Sequence, residues 1–382
     1  MRKDFLDGIR GWAAVMVLLS HLIQNFAVQA APALNKPYLL FPSDGALAVY
    51  VFFVVSGFAL SIGFFEKNDT GVLTSLAIRR YPRLTIPIFA SALLGFVLMK
   101  SGLLYNQQAS AIAHNESWLG GFFGFTPHVI DLLRFSLFDV YFAYDPEHTY
   151  NAVLWTMSVE LWGSVFVFSL LAVLGTARRP LIYIIAFVCL FALRSPMLAF
   201  LLGVVISDLY ASGRIEKLPS ALASGASSAM IGAAILFSTF GRAHYDDPRP
   251  LSVIASILVA GVIVSVPMRS FFSNRVSRFF GAISFPLYLT HLPVICSLSS
   301  ATFLALLAHG LSLQAASNWM VVTTIPATIL VAMAFYPVET LSIEMARRMS
   351  RLFLTGRGAT TSQLDRPVAT ATAELDRRKV HR

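Results

Sequence analysis

DGIRGWAAVMVLLSHLIQNF, residues 7–26, is an apolar run with a cation near its start and an imidazole near its middle. Arg10 and His21 are eleven residues apart, and at 100° per residue that spacing returns to within about 20° of one helical face. At 1.5 Å per residue it also separates them by roughly 16 Å along the axis, about half the hydrocarbon thickness of a bilayer. One membrane helix thus carries a charge at one surface and a titratable group near the midplane. An ionisable side chain at that depth points to function. The competing reading is an arginine that snorkels and a histidine bonded to a neighbouring helix.

The rest of the chain supplies the setting. Of its 382 residues 56% are hydrophobic and only 13% charged, with a mean hydropathy of +0.69. So few charges cannot cover so apolar a core in water, and the solvent for most of the chain is lipid. No small-residue cleavage site closes the first run, which predicts a retained helix rather than a signal peptide. Cys189 and Cys296 both fall in apolar runs and are expected to be small core residues, neither a disulfide framework nor a zinc site. The net charge of +9 does not indicate nucleic acid, because the basic residues lie in short loops between apolar runs, the pattern of membrane topology.

Runs of spanning character occur near 11–30, 45–65, 84–104, 152–174, 181–194, 196–211, 225–240, 251–268, 283–307 and 319–337. The fifth and sixth are short and read as two tight spans or one broken hairpin. Threading ten spans places 23 of the 29 lysines and arginines on the side of the termini and leaves Lys36, Lys100, Arg134, Arg194, Arg242 and Arg249 opposite. The expected fold is therefore an all-α integral membrane bundle of about ten transmembrane helices with both termini cytoplasmic. Residues 1–345 are expected to form one transmembrane domain and 346–382 a cytoplasmic tail, polar, aperiodic and largely disordered from about 355 onward. The longest loop, about 105–150, faces outward. Within it VIDLLRFSLFDVYF is too short and too charged to span, and predicts an interfacial or re-entrant helix.

Several polar residues stand where lipid makes them costly. RRYPR (Arg79, Arg80, Pro82, Arg83) reads as the first cytoplasmic loop. There, guanidiniums suit phosphate oxygens, unless they serve topology alone. Glu160, one turn past Trp155 at the outward start of the fourth span, must be protonated or paired with a cation or imidazole. Ser284, Tyr288 and His291 are spaced by four and three and share a face of the ninth span, loosened by Pro286. Ser56 and Gly57 give the second span a small-residue face, for packing or beside a ligand. Glu339 is expected to pair with an arginine of a neighbouring helix. The G-x-S-x-G elbow, the phosphate-binding G-x-x-x-x-G-K-[ST] loop, G-x-G-x-x-G and H-E-x-x-H are all absent, as is any metal-ligand cluster.

In order along the chain, LDGIRGWAAVMVLLSH, FFVVSGFALS, RRYPRL, LWTMSVE, ISFPLYLTH and YPVE resemble the motifs of the membrane acyltransferase 3 family, integral-membrane enzymes that O-acylate sugars, polysaccharides and small molecules. The resemblance covers roughly residues 5–340. It departs at Leu161, where the family often has a second acidic residue, and at Phe285, where it often has tyrosine.

The resemblance implies an O-acyltransferase, most simply an O-acetyltransferase, of the bacterial inner membrane. Acyl-CoA is then the cytoplasmic donor substrate, no cofactor is tightly bound, and the acceptor is a hydroxyl of a carbohydrate or small molecule. Arg10, Arg79, Arg80 and Arg83 would hold the CoA phosphates. His21 would act as general base or be acylated first. Glu160 would orient or balance an imidazole, and Tyr288 or His291 would meet the acceptor or the developing oxyanion. Trp155, Ser56 and Ser284 are candidate acceptor contacts. The alternative is a proton-coupled transporter or flippase with His21, Glu160 and His291 as its relay. The oligomeric state is left open by the sequence.

Overall fold

A computed structural model describes residues 3–174, 179–241 and 246–355. The expected disordered tail, Arg178 and Arg242 lie outside them. The described residues are helical, with no strand among them.

All ten apolar runs are helices. The first is α1 (Asp4–Ala30), followed by α2 (Gly45–Lys67) and α3 (Thr70–Lys100). The segment between α3 and α6 holds α4 (Asn106–Ala113) and a helix α5 over 129–142. Then come α6 (Trp155–Leu174), α7 (Arg179–Ala192), α8 (Met197–Ala211) and α9 (Ser220–Phe240). The pair α10 (Pro248–Val264) and α11 (Val266–Phe272) is followed by α12 (Arg275–Ala282), α13 (Ser284–Ala308) and α14 (Leu313–Thr355).

Among the described residues, seven helices are long and apolar enough to cross a membrane. An eighth is added if α10 and α11, bent by 101° at their junction, are one span. α7 and α8, at 14 and 15 residues, fall short of the ~20 residues of a straight span. They form a short hairpin that turns at Arg194, whose φ of 51° is left-handed. Side chains such as Ile130, Leu236 and Leu330 are exposed on the outside of the bundle, where lipid is the solvent. Cys296 is buried as expected, but Cys189 is exposed, because an apolar run reads the same whether it faces lipid or protein.

Two glycine-lined crossings position the bundle. A Cβ on Gly8 would overlap the carbonyl of Phe272, one on Gly11 the backbone at Phe280 and Gly281, and one on Gly281 the backbone of Asp7. These glycines let α1 touch the α11–α12 corner backbone to backbone, where Trp12 also donates to Ser277 Oγ at 3.0 Å. The spacing D-G-I-R-G-W thus packs one face and leaves Arg10 free to point elsewhere. Likewise, a Cβ on Gly57 would strike the Phe200 carbonyl, and one on Gly203 the Val54 carbonyl, so α2 and α8 cross at contact distance. Gly11→Ala is expected to lose about 1–3 kcal/mol to this overlap, read as a lower thermal midpoint in detergent. Gly225→Ala, which meets open space, is expected to leave the midpoint unchanged.

The expected loop at RRYPR is corrected. Asn68 turns the chain with φ 52°, Asp69 caps Gly71 N–H, and α3 then runs unbroken from Thr70 through all three arginines. A cluster of charges with a proline resembles a loop locally, yet an N-cap and good helix formers outweigh it. Pro82 and Pro87 are accommodated within the helix.

Candidate active site

His21 and His291 meet. His21 Nδ1 lies 2.9 Å from His291 Nε2, and their rings are 5.0 Å apart. His21 is carried by a π-helical stretch of α1, Ser20–Ala27, and a second, Ile295–Ser299, begins one turn after His291. Such π-segments frequently mark functional sites.

The hydrogen bonds assign the tautomers. His291 Nδ1 is 3.2 Å from the Leu287 carbonyl, which can only accept, so His291 carries its proton on Nδ1. Its Nε2 is then an acceptor, and His21 must donate from Nδ1. That leaves His21 Nε2 with a free lone pair. His291 is fully buried, whereas His21 is only partly so, which makes His21 the member that a substrate can reach.

The backbone around the pair is held by the consequences of one proline. Pro293 has no N–H, so the Leu289 carbonyl one turn earlier lacks its helical partner. Ser91 Oγ (3.0 Å) and Asn151 Nδ2 (2.7 Å) donate to it instead, and Asn151 also donates to Ser91 Oγ at 2.8 Å. Three elements (α3, α13 and the entry to α6) are thereby locked at the level of the histidines. Tyr288 adds to this. Its hydroxyl donates to Val153 O at 3.0 Å and meets Thr156 Oγ1 at 2.9 Å, while its ring lies 5.8 Å from that of His291. Tyr288 thus stands beside His291 with its hydroxyl engaged by α6 and its entry turn.

The segment between α3 and α6 packs over the pair. Trp118, which no periodicity or motif singles out, tilts against His21 with ring centroids 5.2 Å apart and is backed by Phe122. Asn115 donates to the Asn25 carbonyl of the π-segment, and Tyr105 N–H donates to Cys296 O at 2.9 Å. Farther along, Tyr144 donates to Ala152 O at 2.9 Å, and burial pushes its phenol up to about 12. α5 lies beside the bundle, tied by Tyr81 Oη to Leu137 O (2.6 Å) and by Ser158 Oγ to Tyr141 O (2.8 Å).

A second level of polar residues lies eleven residues along α3 from Ser91 and eleven along α1 from His21, each roughly 16 Å of helix. Glu160 has its partner here. Arg80 donates to its Oε2 and Ser56 Oγ to its Oε1 at 2.9 Å, and the side chains of Arg80 and Glu160 are only 13% and 10% exposed. Glu160 is thus paired with a guanidinium rather than with an imidazole, and Arg80 is engaged by it.

Arg83 stands within electrostatic range of Arg10, Arg80, Glu339 and Asp7 and is an exposed residue. Arg10 Nε is buried without a hydrogen-bond partner among the described residues. Arg79 turns away, donating to Ser75 O at 2.9 Å and to Ser75 Oγ. Ser284 is buried, with its hydroxyl on Gly281 O at 3.0 Å, and Trp155 is 44% exposed at the start of α6. Among the described residues, no hydrogen bond or ring contact brings Ser284 or Trp155 to the histidine pair.

The chain therefore holds a lone pair on a partly accessible imidazole, a second imidazole behind it, and a group of arginines roughly 16 Å away along the helices. Comparison with known proteins places the whole chain in a family. The acyltransferase 3 family model, an acyltransferase domain, matches residues 3–337. The acyltransferase clz18 of Cochliobolus lunatus is 23% identical over 365 residues, covering 75% of this chain and 74% of that protein. No solved structure matches. The match of the family model over nearly the whole chain shows that this protein belongs to the acyltransferase 3 family and is a membrane acyltransferase.

Proposed function

We propose that the protein moves an acyl group, in the simplest case acetyl, from acyl-CoA to a hydroxyl of a carbohydrate or small-molecule acceptor, with His21 as general base. The observation that carries this reading is the hydrogen-bonded order Leu287 O, His291, His21, which leaves Nε2 of His21 as the basic atom. An acceptor hydroxyl placed against Nε2 loses its proton there as its oxygen attacks the thioester carbonyl. The thiolate of CoA leaves and takes up the proton. His291 holds the ring in the productive tautomer and shares the charge of the imidazolium that forms in between.

The donor is read as entering at the arginine level. Arg10 and Arg83 bind its diphosphate, and its extended pantetheine arm covers the roughly 16 Å to His21. The distribution of lysine and arginine supports a cytoplasmic location for that end, where CoA thioesters occur. Trp118 and the outer segment suit an acceptor that arrives from the opposite side.

The test is transfer of label from radiolabelled acetyl-CoA to a glycan extract of the producing cells by the purified protein in detergent, with no gradient present. Stoichiometric release of CoA thiol is the expected result. Absence of transfer, together with gradient-driven uptake in sealed vesicles, would replace this reading with a transporter. Arg83→Gln is expected to raise KM for acetyl-CoA by about 10-fold or more with kcat little changed, as for loss of a charge-assisted bond to substrate.

A further inference from the structure

α14 is 43 residues long, about 64 Å at 1.5 Å per residue and twice the hydrocarbon thickness. Its last turns pack antiparallel to the first turns of α3. Ser350 Oγ meets Ser75 Oγ at 3.3 Å, and this register sets Arg347 beside Arg79, one turn along α3 from Ser75.

Both arginines are partly buried, and their charges act on each other. Arg79 is fixed by two bonds to Ser75, of which neither acceptor is charged. The nearest acid on α14, Glu344, is taken by Arg348. No carboxylate pairs with Arg79 or Arg347 among the described residues. This differs from the deeper level, where Arg80 has Glu160 and Arg83 has Glu339 and Asp7 within range. Two like charges brought together partly out of water repel, and an anion between them relieves that repulsion. Arginine presents its donors in a fork that fits a phosphate.

We infer that Arg79 and Arg347 form a phosphomonoester subsite, which takes the 3′-phosphate of coenzyme A. The inference rests on the donor reading above. Arg79 lies one turn, about 6 Å, from Arg83 along α3, so the two anionic groups of one nucleotide meet two successive levels of cations. Arg347 thereby becomes a donor-binding residue contributed by the last helix.

The test compares binding of CoA and 3′-dephospho-CoA to the full-length protein in phosphatidylcholine nanodiscs. In the wild type, removing the 3′-phosphate is expected to weaken binding by about 10–100-fold, the worth of one or two charge-assisted bonds. In Arg347→Gln the two nucleotides are expected to bind alike, and Arg347→Lys is expected to recover part of the preference. Equal affinity of the wild type for both nucleotides overturns the subsite but leaves the donor reading intact, and this comparison needs no variant to fold. Failure of both nucleotides to bind overturns the donor reading and the subsite with it. The remaining source of phosphate is a lipid headgroup. A repeat with phosphatidylglycerol in the nanodiscs separates it, because an effect of Arg347→Gln that appears only with the anionic lipid also overturns the proposal.

Discussion

His21→Ala is expected to lower acyl transfer by about 10²–10⁴-fold, the contribution typical of a positioned general base, while the protein remains inserted and monodisperse. The side chain is only partly buried, so its removal takes little packing from the core. His291→Ala acts through His21. Without it, nothing holds the proton of His21 on Nδ1, and the base loses both its tautomer and its orientation, for an expected loss of about 10²-fold or more. Because the two rings form one unit, the double variant is expected to be no slower than His21→Ala alone. Initial rates with labelled acetyl-CoA in native membranes, normalised to the amount of folded protein, measure all three variants. Multiplying losses in the double variant would mean that the histidines act separately.

The second large effect is on stability rather than rate. Glu160→Ala leaves the Arg80 guanidinium inside the bundle with no carboxylate, and breaking a buried pair from one side costs about 3–5 kcal/mol. Ser56 loses its acceptor at the same time. The variant is expected to show a sharply lower thermal midpoint and poor recovery from membranes. Removing both charges, as in Arg80→Met with Glu160→Leu, is expected to restore most of the stability, since hydrophobic replacement of a whole buried pair is often neutral. A Glu160→Ala protein as stable as wild type, yet inactive, would return Glu160 to the reaction itself.

Much of the site was legible in the sequence, for reasons that are local. The interval from Arg10 to His21 fixes a shared face and a depth in any helix, and a carboxylate at the position of Glu160 in lipid demands a partner. Both inferences need only helical periodicity and the price of burying charge. What could not be read is which residues meet across the fold. The pairing of His21 with His291 spans 270 positions and that of Arg80 with Glu160 spans 80. Neither is encoded in any window of sequence. The RRYPR motif misled because its composition resembles a loop, although Asp69, one residue before α3 begins, was a readable cap. Trp118 sits in an aperiodic segment and reaches His21 only because Asn115 and Tyr105 pin that segment down. Pro293 was visible, but its effect depends on Ser91 and Asn151 arriving at the carbonyl that it frees.

The proposed acyl transfer at this pair requires that the resting protein hold His21 neutral, with its proton on Nδ1 and its Nε2 bare. Nitrogen-15 chemical shifts of histidine-labelled protein in nanodiscs report this directly, with the His21 signals identified by their loss in His21→Ala. Shifts typical of a protonated Nδ1 and an unprotonated Nε2 are the expected result. A proton on Nε2, or a ring protonated on both nitrogens at neutral pH, would leave no base facing the acceptor and would contradict the mechanism.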